Sequence, residues 1–352
     1  MVKRFFENPI LTTRDIVPSQ PGFVVECVMN PSAFLFEGKT CLLLRVAERP
    51  LQRPGFISVP ILDDRGAYII MEFDEKDPKV DLSDVRLIQY EGKTYLTTIS
   101  HFRIVFSEDG IHFYEPDNRR TKIFGEGTFE TYGIEDCRTI FLDGVYNLTY
   151  TQVSSHGVGV GLIQTTDWKS FSRKGMIFPP HNKDCALFEE KIDGKYYCLH
   201  RPSGLDVGGN YIWMSTSDNL THWGDHQCIL HTRKGMWDSQ RVGAGAAPIK
   251  TSEGWLAIYH GADENSRYCL GAVLLDLKDP SKVLMRSKSP LFEPMEDYEK
   301  NGFFNHVVFT NGHIVDGDEV VMYYGASDQV ICGAKISIKQ ILANLRKENS
   351  HY

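Results

Sequence analysis

Apolar and polar positions alternate in short runs along most of the chain, each run rich in β-branched or aromatic residues and closed by Gly, Asp or Asn. This pattern predicts strands nearly throughout. One phrase recurs: an apolar strand, a turn with Gly, then a strand rich in Tyr or Leu. It spans Phe34 to Arg45, Arg86 to Leu96, Thr139 to Tyr150, Lys191 to His200, Ile249 to Tyr259 and Ile314 to Tyr324. The turn glycines, Gly38, Gly92, Gly144, Gly194, Gly254 and Gly317, are separated by 54, 52, 50, 60 and 63 residues. A period of roughly 50 residues with about four strands per unit is what a β-propeller blade requires, because each blade covers its neighbour's apolar face. Ser107 to Phe113, Thr165 to Phe171 and Ser217 to Trp223 carry a second recurring marker, placed where an outer hairpin is expected. A helical period appears only from Ile338 to Lys347, where Ile338, Ile341, Leu342 and Leu345 share a face and Ser337 is placed to cap it. The expected architecture is all-β: one propeller domain over residues 1–352, of five or six blades, with a short C-terminal helix.

Composition narrows the function. The formal charge of −8 comes without any long Lys/Arg block, which argues against a nucleic-acid partner. No run approaches the ~20 apolar residues of a membrane span, and the N-terminus reaches Pro9 before any signal-like stretch, so a cytoplasmic location is expected. The eight cysteines form no C-x-x-C pair and read as reduced, mostly buried small hydrophobes. Sequons at Asn147 and Asn219 read as chance. Gly157-Val-Gly-Val-Gly161 lacks the Lys and helix of a phosphate loop and reads as a strand edge. His222, His226 and Cys228 resemble a zinc set only in residue type, since they fall in a turn-rich stretch, and no metal or other cofactor is assigned.

Polar residues just before the first strand of each repeat should face a common funnel. These segments are Met29 to Ser32, Gly133 to Arg138, His181 to Asp184 and Gly243 to Pro248, with Arg241 just ahead of the last. Arg45, Arg201 and His260 terminate otherwise apolar runs, and Asp328 follows Tyr323-Tyr324-Gly325. Alone, a Glu-Asp pair before a strand is most often a solvated turn, and an Arg after one a surface cation. Several cations directed at one funnel instead point to an anion site, because a buried cation needs an anionic partner.

Asn30-Pro31, Leu42 to Glu48, Gly133-Ile-Glu-Asp-Cys-Arg138, Asn182 to Asp184, His200-Arg-Pro202, Gly254 to Gly261, Gly271 to Pro280 and Tyr323 to Asp328 together resemble glycoside hydrolase family 130, the β-mannoside phosphorylases and β-1,2-mannosidases. The resemblance runs in order from about residue 7 to residue 330. It implies a five-bladed propeller, the extra turn being assigned to a blade shared by both chain ends, and inverting cleavage of a β-mannoside by phosphate to give α-mannose 1-phosphate. It implies Asp136 as general acid, its proton passing through a sugar hydroxyl, with Asn30, Arg45 and Asp328 at the mannosyl unit. Lys183 and Asp184 join the substrate side. Arg201, Arg241 and His260 would bind phosphate, with Tyr259 and again Lys183 as further candidates. Cys137 stands where relatives commonly carry Pro.

A phosphorylase needs cations to hold a dianion, whereas an inverting hydrolase needs a base to activate water. The basic character of the matched positions favours the phosphorylase, acting on β-1,2-mannobiose or β-1,2-oligomannosides. Phosphate is then a co-substrate, and a homo-oligomer is possible in principle. The alternatives are an inverting β-1,2-mannosidase with Asp184, Asp263 or Glu264 as base, and a non-catalytic glycan-binding propeller.

Overall fold

Five antiparallel sheets account for most of the chain in the computed structural model, which describes residues 2–63, 65–117, 120–204 and 207–350. Sheet I comprises Phe23–Phe36, Lys39–Pro50, Ile99–Ser107 and Lys122–Ile123. Sheet II comprises Ile134–Leu142, Val145–Ser154, Gly157–Thr165 and Ser172–Phe178. Sheet III comprises Asn182–Leu187, Tyr196–Pro202, Ile212–Ser217 and Gly224–Leu230. Sheet IV contains Arg241–Ala244, Trp255–Ala262, Tyr268–Leu275 and Val283–Arg286, with Ile249–Lys250 paired alongside. Sheet V joins Val308–Asp316, Glu319–Ala326 and Val330–Ser337 to Lys3–Arg4, so both ends of the chain share it.

The recurring glycines sit where the first and second strands of each sheet meet. Glu37-Gly38, Asp143-Gly144 and Asp193-Gly194 have positive φ at both residues, the conformation of a two-residue hairpin turn that matches strand twist. The sixth turn, at Gly92, belongs elsewhere. It joins Leu87–Tyr90 to Lys93–Leu96 in a separate three-stranded sheet, which together with the hairpin Phe56–Leu62/Tyr68–Asp74 is inserted between the second and third strands of sheet I. A hairpin turn reads the same in sequence whether its sheet is a main one or an insertion, so the count of six overshot by one.

The second marker closes the third strand of sheets I to III by one shared device. Ser107, Thr165 and Ser217 hydroxyls accept from the backbone N–H three residues on, at 2.9, 3.0 and 2.9 Å. Asp109, Asp167 and Asn219 then take the next two N–H groups. Gly157 opens a strand, as expected.

Each sheet packs on the next in sequence through a cluster of its own. Phe34 and Phe102 of sheet I meet Leu148 of sheet II and Trp168 of the turn after its third strand, with Phe34 and Trp168 stacked at 3.9 Å. Val160 and Leu162 meet Leu187 and Cys198 of sheet III, and Phe188, leaving that sheet, meets Trp255 of sheet IV. Leu256 and Leu270 meet Val320 and Met322 of sheet V, while Val28 and Leu42 of sheet I meet Tyr323 and Ile331 of sheet V. The C-terminal helix Ile338–Asn349 seats Ile341, Leu342 and Leu345 on the boundary of sheets IV and V, and Ser337 Oγ accepts from Gln340 N at 3.2 Å. No helix among the described residues is long and apolar enough to cross a membrane.

Candidate functional site

A break in strand pairing recurs in the first strand of four sheets. Asn30-Pro31 face Leu44 alone, Asp136-Cys137 face Tyr150, Asp184-Cys185 face His200, and Thr310-Asn311 face Tyr324. Two residues opposing one is a β-bulge, which re-aims the side chains around it. Asn30, Asp136 and Asp184 adopt φ of +47°, +49° and +57°. Asn and Asp are the non-glycine residues that best tolerate this left-handed conformation. The residue before each bulge, Met29, Glu135, Lys183 or Phe309, also turns to the centre. Arg45 pairs with Met29, Arg201 with Lys183 and His260 with Gly243, so the three groups that end apolar runs occupy equivalent places.

These side chains line one cavity of about 350 Å³. It gathers Asn30, Arg45, Asp136, Lys183, Asp184, Arg201, Arg241, His260 and Asp328, nine of the ten residues singled out from the sequence. Tyr259 lies outside. Adjacent residues on a strand face opposite sides, so where His260 enters the cavity Tyr259 turns into the boundary of sheets III and IV, its hydroxyl donating to Asp238 Oδ2 at 2.9 Å. That placement keeps it out of the cavity in which the other candidate phosphate-binding residues, Lys183, Arg201, Arg241 and His260, lie.

At one end, Asp136 Oδ1 accepts from Asn30 Nδ2 and from Arg45 Nη1, both at 3.0 Å. Arg45 continues to Glu135 Oε1 at 2.8 Å and Ser100 Oγ at 3.0 Å. Burial by itself would raise the Asp136 carboxyl, but the charges of Arg45 and Lys183 and the Asn30 bond outweigh it and hold the group below the ordinary aspartate range. Asp328 goes the other way. Burial dominates there, Asp136 and Glu135 add repulsion, and the carboxyl is raised to about 6 in spite of Arg45 and Arg86.

At the other end, Asp184 is the anchor. Its Oδ2 accepts from Arg201 Nε at 2.7 Å and faces His260 Nε2 at 3.4 Å, and its Oδ1 accepts from Arg138 Nη2 at 3.2 Å. Although burial opposes ionisation, Arg201, His260 and Arg138 hold the carboxyl well below its usual range. Arg201 Nη1 donates to Asn210 Oδ1 at 3.2 Å, and Arg241 Nη1 donates to the Tyr268 hydroxyl at 2.7 Å. Burial pulls His260 below the ordinary imidazole range, the attraction of Asp184 offsetting part of that effect. Gly243 makes the crowding possible: a Cβ there would stand 2.3 Å from Asp184 Oδ2 and 2.4 Å from His260 Nε2.

The cavity also contains residues that the sequence did not single out. Arg86, Leu87, Leu96 and Thr98 reach it from the inserted sheet and the segment after it, while Phe303, Phe304, Phe309 and Tyr268 form an aromatic wall. Arg86 lies over the Phe304 ring at 4.6 Å and is paired with Asp84 at 2.7 Å. Glu135 was legible from its place beside Asp136; the others depend on long-range packing. His222, His226 and Cys228 are directed to different partners, Asn219, Ser215 and His231.

The raised Asp328 group sets up a stability test. Its folded value of about 6 exceeds the ordinary 3.8, so its contribution is fully present below about 4 and is lost as pH rises through 6. Above that the ionised carboxylate opposes folding by on the order of 2–3 kcal/mol. Asp328→Asn, at a residue with φ +49° that Asn also tolerates, is expected to raise Tm at pH 7.5 and leave it nearly unchanged at pH 4. Calorimetry in phosphate-free buffer checks this, and a lower Tm at both values would contradict it.

The geometry has close relatives. A family model described as beta-1,4-mannooligosaccharide phosphorylase, that of glycoside hydrolase family 130, matches residues 85–347. The beta-1,2-mannobiose phosphorylase of Listeria innocua is 42% identical over 353 residues, covering 99% of each chain. The 1,2-beta-oligomannan phosphorylase of Thermoanaerobacter sp. is 42% identical over 248 residues, 69% of this chain and 80% of that one. The solved structure of the Listeria innocua enzyme in complex with β-1,2-mannobiose superposes with a TM-score of 0.95 over 99% of both chains. With a family model matched over most of its length and a full-length relative at this identity, the chain belongs to glycoside hydrolase family 130.

Proposed function

We propose that the protein is an inverting β-1,2-mannoside phosphorylase, cleaving β-1,2-mannobiose or a β-1,2-oligomannoside with phosphate to give α-mannose 1-phosphate. The observation that carries this reading is the division of one cavity between Asp136, held by Asn30 and Arg45, and a basic pocket of Lys183, Arg201 and Arg241. Phosphate is already a nucleophile, so what the site must supply is charge to hold it. The hydrolase reading needs a free base, and its candidates are engaged or remote. Asp184 is held by Arg138 and Arg201; Asp263 Oδ1 caps a turn by accepting from Asn265 N and Arg267 N; Glu264 is exposed. The relatives named as β-1,2-mannobiose and 1,2-β-oligomannan phosphorylases favour the same reaction and linkage.

In this scheme Asn30, Arg45 and Asp328 hold the mannosyl unit at the cleaved bond. Asp136, ionised in the free site, must first take up a proton, which it relays towards the leaving oxygen through a sugar hydroxyl, while phosphate attacks the anomeric carbon from the side of Arg201, Arg241 and His260. The bond from that carbon to the leaving oxygen breaks as a bond to phosphate oxygen forms. Hydrogen phosphate gives up one proton and the released sugar gains one, so Asp136 ends as it began. Asp184 serves by fixing Arg201 and His260. The acceptor side falls to Arg86, Leu87, Leu96 and the Phe303–Phe304 wall. We further propose that the five sheets are the blades of a five-bladed propeller forming one domain. Each sheet packs on its successor and sheet V on sheet I, and the shared sheet V joins the chain ends, which supports that arrangement.

The deciding experiment is incubation with β-1,2-mannobiose with and without phosphate. Cleavage and release of α-mannose 1-phosphate only with phosphate is expected; equal cleavage without it would leave the β-mannosidase. In the same assay Arg201→Ala is expected to raise the phosphate KM by about tenfold or more, with the mannoside KM changed far less. An unaltered phosphate KM would remove Arg201 from the phosphate site.

A further inference from the structure

We propose that Arg138 is a positioning residue that locks the acid-bearing bulge of sheet II to the phosphate pocket built by sheets III and IV. It rests on the phosphorolysis reading. Arg138 is the first residue past its bulge. The same place holds Ser32 in sheet I, Ala186 in sheet III and Gly312 in sheet V. Three small residues and one arginine at equivalent positions, where the first strands converge, leave the centre to a single guanidinium.

That guanidinium, on a residue 4% exposed, commits four of its five N–H groups. Its Nε donates to Gly245 O at 2.8 Å, and Nη2 donates to Ala244 O at 2.7 Å and Asp184 Oδ1 at 3.2 Å. Nη1 donates to the backbone carbonyl of Asp136 at 3.0 Å. One planar group thus spans the backbone of the acid, the carboxylate that fixes Arg201 and His260, and the strand end beside Gly243. An in-line displacement needs the attacking and leaving groups registered to a fraction of an ångström, and these two halves of the site come from different sheets. Arg138 is the covalently continuous object that touches both without touching the reacting atoms.

Charge and geometry can be separated by substitution. Lysine keeps the positive charge beside Asp184 but not the fork that reaches four acceptors, whereas methionine keeps neither. Arg138→Lys is expected to keep the phosphate KM within about threefold of wild type and to lose about 100-fold in kcat. Arg138→Met is expected to lose kcat similarly and also to raise the phosphate KM about tenfold. The measurements are kcat and both KM values per folded protein, with melting curves and circular dichroism to define that fraction. Recovery of wild-type kcat in Arg138→Lys would overturn the proposal, as would variants whose only defect is a lower Tm or folded yield. Should Arg138→Met fail to fold, the kcat of Arg138→Lys decides alone. Phosphate-independent cleavage by the unaltered protein would instead overturn the functional reading, so the two failures are distinguishable.

Discussion

Asp136→Asn abolishes useful turnover, with an expected loss of roughly 10³-fold or more in kcat and little change in Tm. The magnitude follows from the role: removing a positioned proton donor costs 10²–10⁴-fold in general, and no second carboxyl occupies the same bulge. The small stability effect follows from the surroundings. Asn tolerates φ +49° as Asp does, its carbonyl oxygen can still accept from Asn30 Nδ2, and Arg45 keeps Glu135 at 2.8 Å as counter-ion. Steady-state kinetics with β-1,2-mannobiose and phosphate, alongside a melting curve, test both halves. A variant retaining a tenth of wild-type kcat would remove Asp136 from its catalytic place, and a collapsed Tm would mean that the carboxylate is structural.

Gly243→Ala is the second large effect, although the residue has no side chain to react. Its added methyl carbon would lie 2.3 Å from Asp184 Oδ2 and 2.4 Å from His260 Nε2, far inside contact distance. Neither neighbour has room to retreat. Asp184 is tied to Arg201 and Arg138, and His260 packs on the Phe309 ring at 4.3 Å. Arg201 and His260, the proposed phosphate ligands, must therefore shift by about an ångström, and misplacement on that scale costs about 100-fold. The expected result is a fall of about that size in kcat/KM for phosphate with a Tm lowered by several degrees, measured by varying phosphate at fixed mannoside. Wild-type phosphate kinetics would show that the pocket relaxes freely.

Much of the fold was legible because its turns announce themselves. Glu-Gly and Asp-Gly pairs mark the inner hairpins, and Ser107, Thr165 and Ser217 mark the outer ones. The miscount at Gly92 shows the limit of a local signal, since nothing local says which sheet a hairpin joins. Nine of the ten site residues converge on one cavity because strand ends share a register. Tyr259 was a recoverable error: strict alternation forbids it from sharing a face with His260. The bulges were not readable, because two residues against one breaks the two-residue period by which strands are recognised. Arg86 and Phe304 were out of reach for another reason. They meet at 4.6 Å from segments more than two hundred residues apart, and no periodicity encodes that encounter.

The left-handed residues at the cavity floor have a consequence for how this site can diversify. At residues 30, 136 and 184 the backbone favours asparagine, aspartate or glycine over β-branched and most bulky residues. Other polar residues hold a positive φ elsewhere in the chain, at Glu37, His306 and Ser327, but without the short carboxyl or amide group that offsets the strain in Asp and Asn. These three places are thus biased towards a short carboxylate or amide. Chemical novelty enters more readily from the walls, where Lys183, Arg201, Arg241 and the aromatic side chains stand on backbone without a positive φ.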